Sequence, residues 1–160
     1  MVRGDYAIRA RPRERMLGAG GLEMPEKKTA RRRPLTLADV REIALSMPEV
    51  EETTAYGMPA FKAGKTRFAG QPIERAGVDP SSLGVYMSFE ERDRRIALQP
   101  NVYYLIDHFV KYPAVLVRLT NVGRDELREI LGTAWRQAME RQVAAKKTRR
   151  ARTTSTIRRR

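Results

Sequence analysis

Cysteine is absent from the chain, which excludes disulfides, thiolate nucleophiles, thiolate zinc sites and iron–sulfur clusters. Histidine occurs once, as His108, so no pair of imidazoles is available for metal or acid–base work. Long apolar runs are missing too. The longest, residues 102–110, is interrupted by Asp107 and His108, far short of a bilayer-spanning segment. Arg3, Arg9, Arg11, Arg13 and Arg15 are followed by no apolar stretch, which does not fit a secretory signal, and a cytoplasmic location is the expectation.

Charge is what the chain has in excess. Net charge is +13 with an isoelectric point near 10.7, a balance that usually points to a polyanionic partner. Its distribution is uneven. Residues 1–33 carry 10 Lys and Arg against 4 Asp and Glu, residues 34–141 carry 14 against 15, and residues 142–160 carry 8 against none. The middle of the chain is near neutral, so its basic character belongs to the two ends. A length of 160 residues suits one hydrophobic core with tails.

Hydrophobic periodicity places that core between about residues 35 and 140. Residues 1–33 have no sustained period and Gly18, Gly20 and Gly21 interrupt them, so they read as a basic disordered tail. Met24 offers an alternative start of translation that would remove residues 1–23. Thr36-Leu-Ala-Asp39 opens a helix, with Leu37, Val40, Ala44 and Met47 on one stripe and Pro48 as its stop. A hairpin follows within residues 53–70, turning at Ala63-Gly64-Lys65. Residues 70–82 form a loop. Leu83, Val85 and Met87 alternate with Gly84 and Tyr86 as a half-buried strand. Ser88-Phe-Glu-Glu91 caps a short helix to about Leu98, and residues 102–106 and 114–120 are strands. After Gly123 a long helix buries Leu127, Ile130, Leu131, Ala134, Trp135 and Ala138, and its helicity is expected to fade after Ala145. The order is α-β-β-β-α-β-β-α. It predicts a single α+β domain over residues 34–141, an antiparallel sheet with the N- and C-terminal helices packed on one face, followed by a basic tail over 142–160.

Four segments together resemble the MmcQ/YjbR family. They are Thr36-Leu-Ala-Asp-Val-Arg-Glu-Ile-Ala-Leu-Ser-Met-Pro-Glu-Val-Glu-Glu, Tyr56-Gly-Met-Pro-Ala-Phe-Lys, Tyr104-Leu-Ile-Asp-His108 and Tyr112-Pro-Ala-Val-Leu-Val-Arg-Leu. The resemblance spans roughly residues 35–140. It implies a compact α+β fold similar to bacterial frataxin, also compared with a double-wing DNA-binding module, and members are often labelled DNA-binding. The basic tails and the 70–82 loop depart from the family pattern.

Function is therefore expected at two places. Arg31, Arg32, Arg33, Lys146, Lys147, Arg149, Arg150, Arg152, Arg158, Arg159 and Arg160 would neutralise phosphates of DNA or RNA without reading sequence. Anionic membrane is the weaker partner, because no interleaved aromatics or apolar face accompany the tail. Tyr56, Tyr104, Asp107, His108 and Tyr112 form a candidate ligand pocket. A carboxylate beside a histidine can orient a base, but neighbours on a strand point to opposite faces, and no nucleophile motif accompanies them. Glu49, Glu51 and Glu52 could in principle hold a hard cation, yet three loop carboxylates are more often solvated. Tyr56, Phe61 and Phe68 could stack on bases, although core packing of the hairpin is the preferred reading. The reading is a non-enzymatic nucleic-acid-binding protein that uses no metal or cofactor. The rival is a small-molecule- or protein-binding module with incidental tails.

Overall fold

The computed structural model describes the backbone of residues 33–157 and the side chains of residues 33–150. Helix α1 (Leu37–Leu45) starts at Thr36, whose backbone N–H and hydroxyl both donate to the Asp39 carboxylate, at 2.9 and 3.0 Å. That carboxylate also accepts from Arg33 and from Arg124. It thereby joins the start of α1 to the start of the last helix. The Arg33 hydrogen bond, with help from Thr36, holds Asp39 well below its ordinary pKa of 3.8.

Strands β1 (Val50–Ala55), β2 (Met58–Ala63), β3 (Thr66–Gly70) and β4 (Ser82–Tyr86) follow. After α2 (Phe89–Leu98) come β5 (Tyr103–Tyr104), a single 3-10 turn at Asp107–Phe109, β6 (Ala114–Arg118) and α3 (Arg124–Ile157). All pairings are antiparallel, in the spatial order β1-β2-β3-β4-β6-β5. Alternation decides which face is covered. Phe61, Phe68, Leu83, Val85, Val115 and Val117 meet Val40, Ile43, Leu127, Ile130, Leu131 and Ala134 in one core. Thus α1 and α3 pack on the same face, as the sequence predicts.

Three expectations change. Residues 50–55 form an additional strand, β1, where a loop is expected. Glu51, Glu52, Thr53 and Thr54 hide it because β1 is an edge strand, and charged edges blunt unwanted pairing. Glu51 pairs with Lys62 and Glu52 with Arg41, so two of the three carboxylates of the acidic patch are engaged in ion pairs. Among the described residues no cluster of three His, Asp or Glu could hold a metal. Trp135 is half-buried at the core margin, and its indole donates to the Pro48 carbonyl at 2.9 Å, sealing the exit of α1. Finally, α3 does not fade near Ala145 but continues to Ile157. The segment expected as a flexible tail is the end of a 34-residue helix.

Candidate functional site

Among the described residues, no helix covers the second face of the sheet. Across it Ala60, Gly70 and Gly84 stand in register on β2, β3 and β4. Two adjacent glycines remove the side chains from the centre of that row and leave a trough. A Cβ at Gly84 would come 3.3 Å from the Gly70 carbonyl, and one at Gly70 would come 3.0 Å from the Ala60 Cβ. The strands here tolerate little more than hydrogen.

Three segments wall the trough into a cavity of about 350 Å³, within the ordinary range for small-ligand sites. One is the β1–β2 turn. Tyr56 and Gly57 are its two central residues, both at positive φ (55° and 80°), the geometry of a type I′ hairpin. Glycine adopts this conformation freely, whereas tyrosine is strained in it. Tyr56 is nevertheless 84% exposed at the cavity rim. The second wall is the loop after β3, which contributes Ile73 and Arg75. The third is the stretch from the 3-10 turn to β6, with His108, Phe109 and Tyr112 in mutual ring contact.

Buried Arg92 and half-buried Tyr104 and Arg118 fix these walls from behind. Arg92, sunk in α2, donates to the carbonyls of Val110 and Tyr112 at 3.0 and 3.1 Å. Tyr104 lies under the Arg118 guanidinium, 3.9 Å from its ring centroid, and its hydroxyl accepts from the Asp79 N–H at 2.9 Å. Ser82 shares that hydroxyl at 2.6 Å. From inside, Arg67 donates to the Tyr86 hydroxyl at 2.7 Å and sits 5.4 Å from the centroid of the same ring.

The expected pocket residues therefore separate. Tyr56, His108 and Tyr112 line the cavity. Tyr104 does not; it anchors the loop behind it. Asp107 does not line it either, and His108 takes another partner. Arg75 approaches His108 Nδ1 at 3.3 Å. The carboxylate-oriented base considered from sequence is not assembled. Phe61 and Phe68 are fully buried in the core, while Tyr56 points out. Sequence reasoning missed Arg67, Arg75, Tyr86 and Phe109. One signal was available: Gly84 and Tyr86 share a strand face, and a glycine inside a strand often marks close approach of a ligand or backbone.

The basic ends are placed only in part. Arg33 is bound to Asp39 at 2.6 Å. Lys146, Lys147, Arg149 and Arg150 lie on α3 beyond Gln142, whose amide donates to the Ala63 carbonyl and packs against Gly64. Every residue from 143 to 150 is exposed. The side chains of Arg31, Arg32, Arg152, Arg158, Arg159 and Arg160 lie outside the described residues. Among the described residues no helix is long and apolar enough to cross a membrane.

Sheet, helices and cavity together define a small α+β domain with one helix-covered face, one open face and a basic helical extension. Residues 45–137, more than half of the chain, match the model of the YjbR family, and the chain belongs to that family. Two mycobacterial relatives, uncharacterized protein Mb2600 of Mycobacterium bovis and uncharacterized protein Rv2570 of Mycobacterium tuberculosis, are each 38% identical over 77 residues. These matches cover 46% of this chain and 60% of each relative's length. The crystal structure of Deinococcus radiodurans protein DR2400, a DUF419 domain, superposes with a TM-score of 0.53 at 23% identity. It covers 66% of this chain and 79% of that one, and it speaks for the fold alone.

Proposed function

We propose that the chain is a non-enzymatic nucleic-acid-binding protein whose affinity resides in the exposed end of α3. One observation carries the reading: the helix continues after leaving the sheet, and there it bears basic side chains and no acidic ones. Beyond Gln142 about 15 helical residues extend roughly 22 Å at 1.5 Å each. A helix is about 10–12 Å across with its side chains, a match for the roughly 12 Å major groove of B-DNA. Continuous basic helices in that groove are a known docking geometry.

Energetics favour a polyanion on this segment. Lys146 stands three and four residues before Arg149 and Arg150, and Lys147 three before Arg150. Like charges at these spacings destabilise a helix. Phosphates relieve the repulsion and release their counterions. Phosphate contacts position a protein on the duplex without specifying sequence, so binding should be indifferent to base order.

Titration of a labelled 20-base-pair duplex with the full chain and with a chain ended at Ala145 tests this. The full chain should bind tightly at 50 mM salt and much more weakly at 200 mM. Removing residues 146–160 should lower the slope of log K against log salt by roughly 3–6, at about 0.9 per phosphate. Sequence-selective binding retained by the shortened chain would move the function to the domain.

A further inference from the structure

The cavity on the open face has a chemical character of its own, separate from the basic helix. Its floor is backbone and methyl groups, from Gly70, Gly84, Ala60 and Ala114. Its walls are flat rings, chiefly Tyr86, Phe109 and Tyr112. A trough two strands wide without side chains, bordered by rings, fits a planar body better than a branched or globular one.

Charge narrows the class further. Among the described residues, Arg67 and Arg75 are the charged side chains in the lining, and no carboxylate lines it. Most other arginines described within the domain are tied to carboxylates. Arg67 and Arg75 are not; they meet the Tyr86 hydroxyl and the His108 ring instead. A guanidinium has five N–H donors. Both arginines therefore keep donors for an acceptor that the described residues do not supply, and the fork geometry suits a carboxylate. The flat trough and its ring walls, rather than the charge count, favour a planar carboxylic acid over a phosphate ester. The placement of Tyr56 agrees, since a large side chain held at positive φ and left exposed at a rim is the kind of local strain that accompanies binding.

We propose that this cavity binds a small planar organic acid, its ring lying on the Gly70–Gly84 floor and its carboxylate paired with Arg67, with Arg75 adding a second cation. Indole-3-acetate and tryptamine share one ring and carry opposite charges, so together they separate ring stacking from charge recognition. Both would be titrated into the ¹⁵N-labelled full chain and followed by amide chemical shifts. Indole-3-acetate should bind at least tenfold more tightly than tryptamine, with shifts centred on residues 56, 67, 70, 84 and 112. Arg67→Leu should weaken it at least tenfold and abolish the preference, Arg67→Lys should restore part of it, and Tyr112→Ala should weaken both compounds. The same spectra report whether each variant is folded. Equal binding of the two compounds, shifts centred elsewhere, or no saturable binding of indole-3-acetate would overturn the proposal.

Discussion

The two halves of α3 share one continuous backbone and have opposite surroundings. In the first half Leu127, Ile130, Leu131, Ala134 and Ala138 are fully buried against the sheet. In the second half residues 143–150 are all exposed, and the side chains that replace the apolar stripe are Lys146, Lys147, Arg149 and Arg150. The first half is helical because tertiary packing rewards it, the usual source of helix stability in proteins. The second is exposed over residues 143–150 and is built of good helix formers, Ala, Lys and Arg, set against repulsion between like charges. Stability and the proposed nucleic-acid binding thus fall on different stretches of one element. The sheet repeats the division across its thickness, with large aliphatic and aromatic side chains on the helix-covered face and glycine, alanine, arginine and tyrosine on the open one.

The largest effect should come from the packed half. Leu131→Ala should cost about 2–5 kcal/mol, the range for a fully buried leucine. Ending the chain at Ala145 should change stability by no more than about 0.5 kcal/mol, as expected for exposed surface. Urea unfolding of the two variants would erase the distinction if their losses were alike.

Next comes the tie between α1 and the packed half through Asp39, whose carboxylate is only 3% exposed and meets both Arg33 and Arg124. Asp39→Asn should destabilise the domain at neutral pH. The sign with pH follows from the lowered pKa. The wild-type advantage is complete above the ordinary value of 3.8 and is lost as pH falls through the lower folded value. The gap between wild type and variant should therefore narrow in acid. A gap that stayed constant down to pH 2 would mean that the carboxylate's charge is not what stabilises.

Trp135 sits at the edge of the packed half, and Trp135→Ala should cost about 2 kcal/mol, below the 3–5 typical of a fully buried aromatic. A larger loss on denaturant titration would place the ring deeper than the structure does. The smallest effect is a gain. Tyr56→Asn puts a residue suited to the left-handed conformation into the β1–β2 turn, and should stabilise by about 1 kcal/mol. A loss instead would show that the exposed ring contributes to folding.

Much of this division was legible in sequence. The stripes of α1 and of the first half of α3 follow the helical period, and the strand at residues 83–87 follows the alternating one. What sequence missed has physical reasons. Edge strand β1 carries Glu51 and Glu52 because its solvated side needs no apolar residues. The continuation of α3 was hidden because an exposed basic helix and a basic coil have the same composition and no apolar period. The cavity was half legible. His108 and Tyr112 attracted notice as chemical side chains, whereas Gly70, Gly84 and Arg67 become a site only when antiparallel register brings three strands together.

The central claim is that charge on the exposed half of α3, and not its length or the domain, sets nucleic-acid affinity. Replacing Lys146, Lys147, Arg149 and Arg150 together by glutamine keeps a good helix former at every position while removing four charges. The account predicts that the slope of log K against log salt for duplex DNA falls in magnitude by about 2–4, at roughly 0.9 per phosphate released, with the circular-dichroism helix signal and unfolding midpoint unchanged. An unchanged slope and affinity in this folded variant would contradict it.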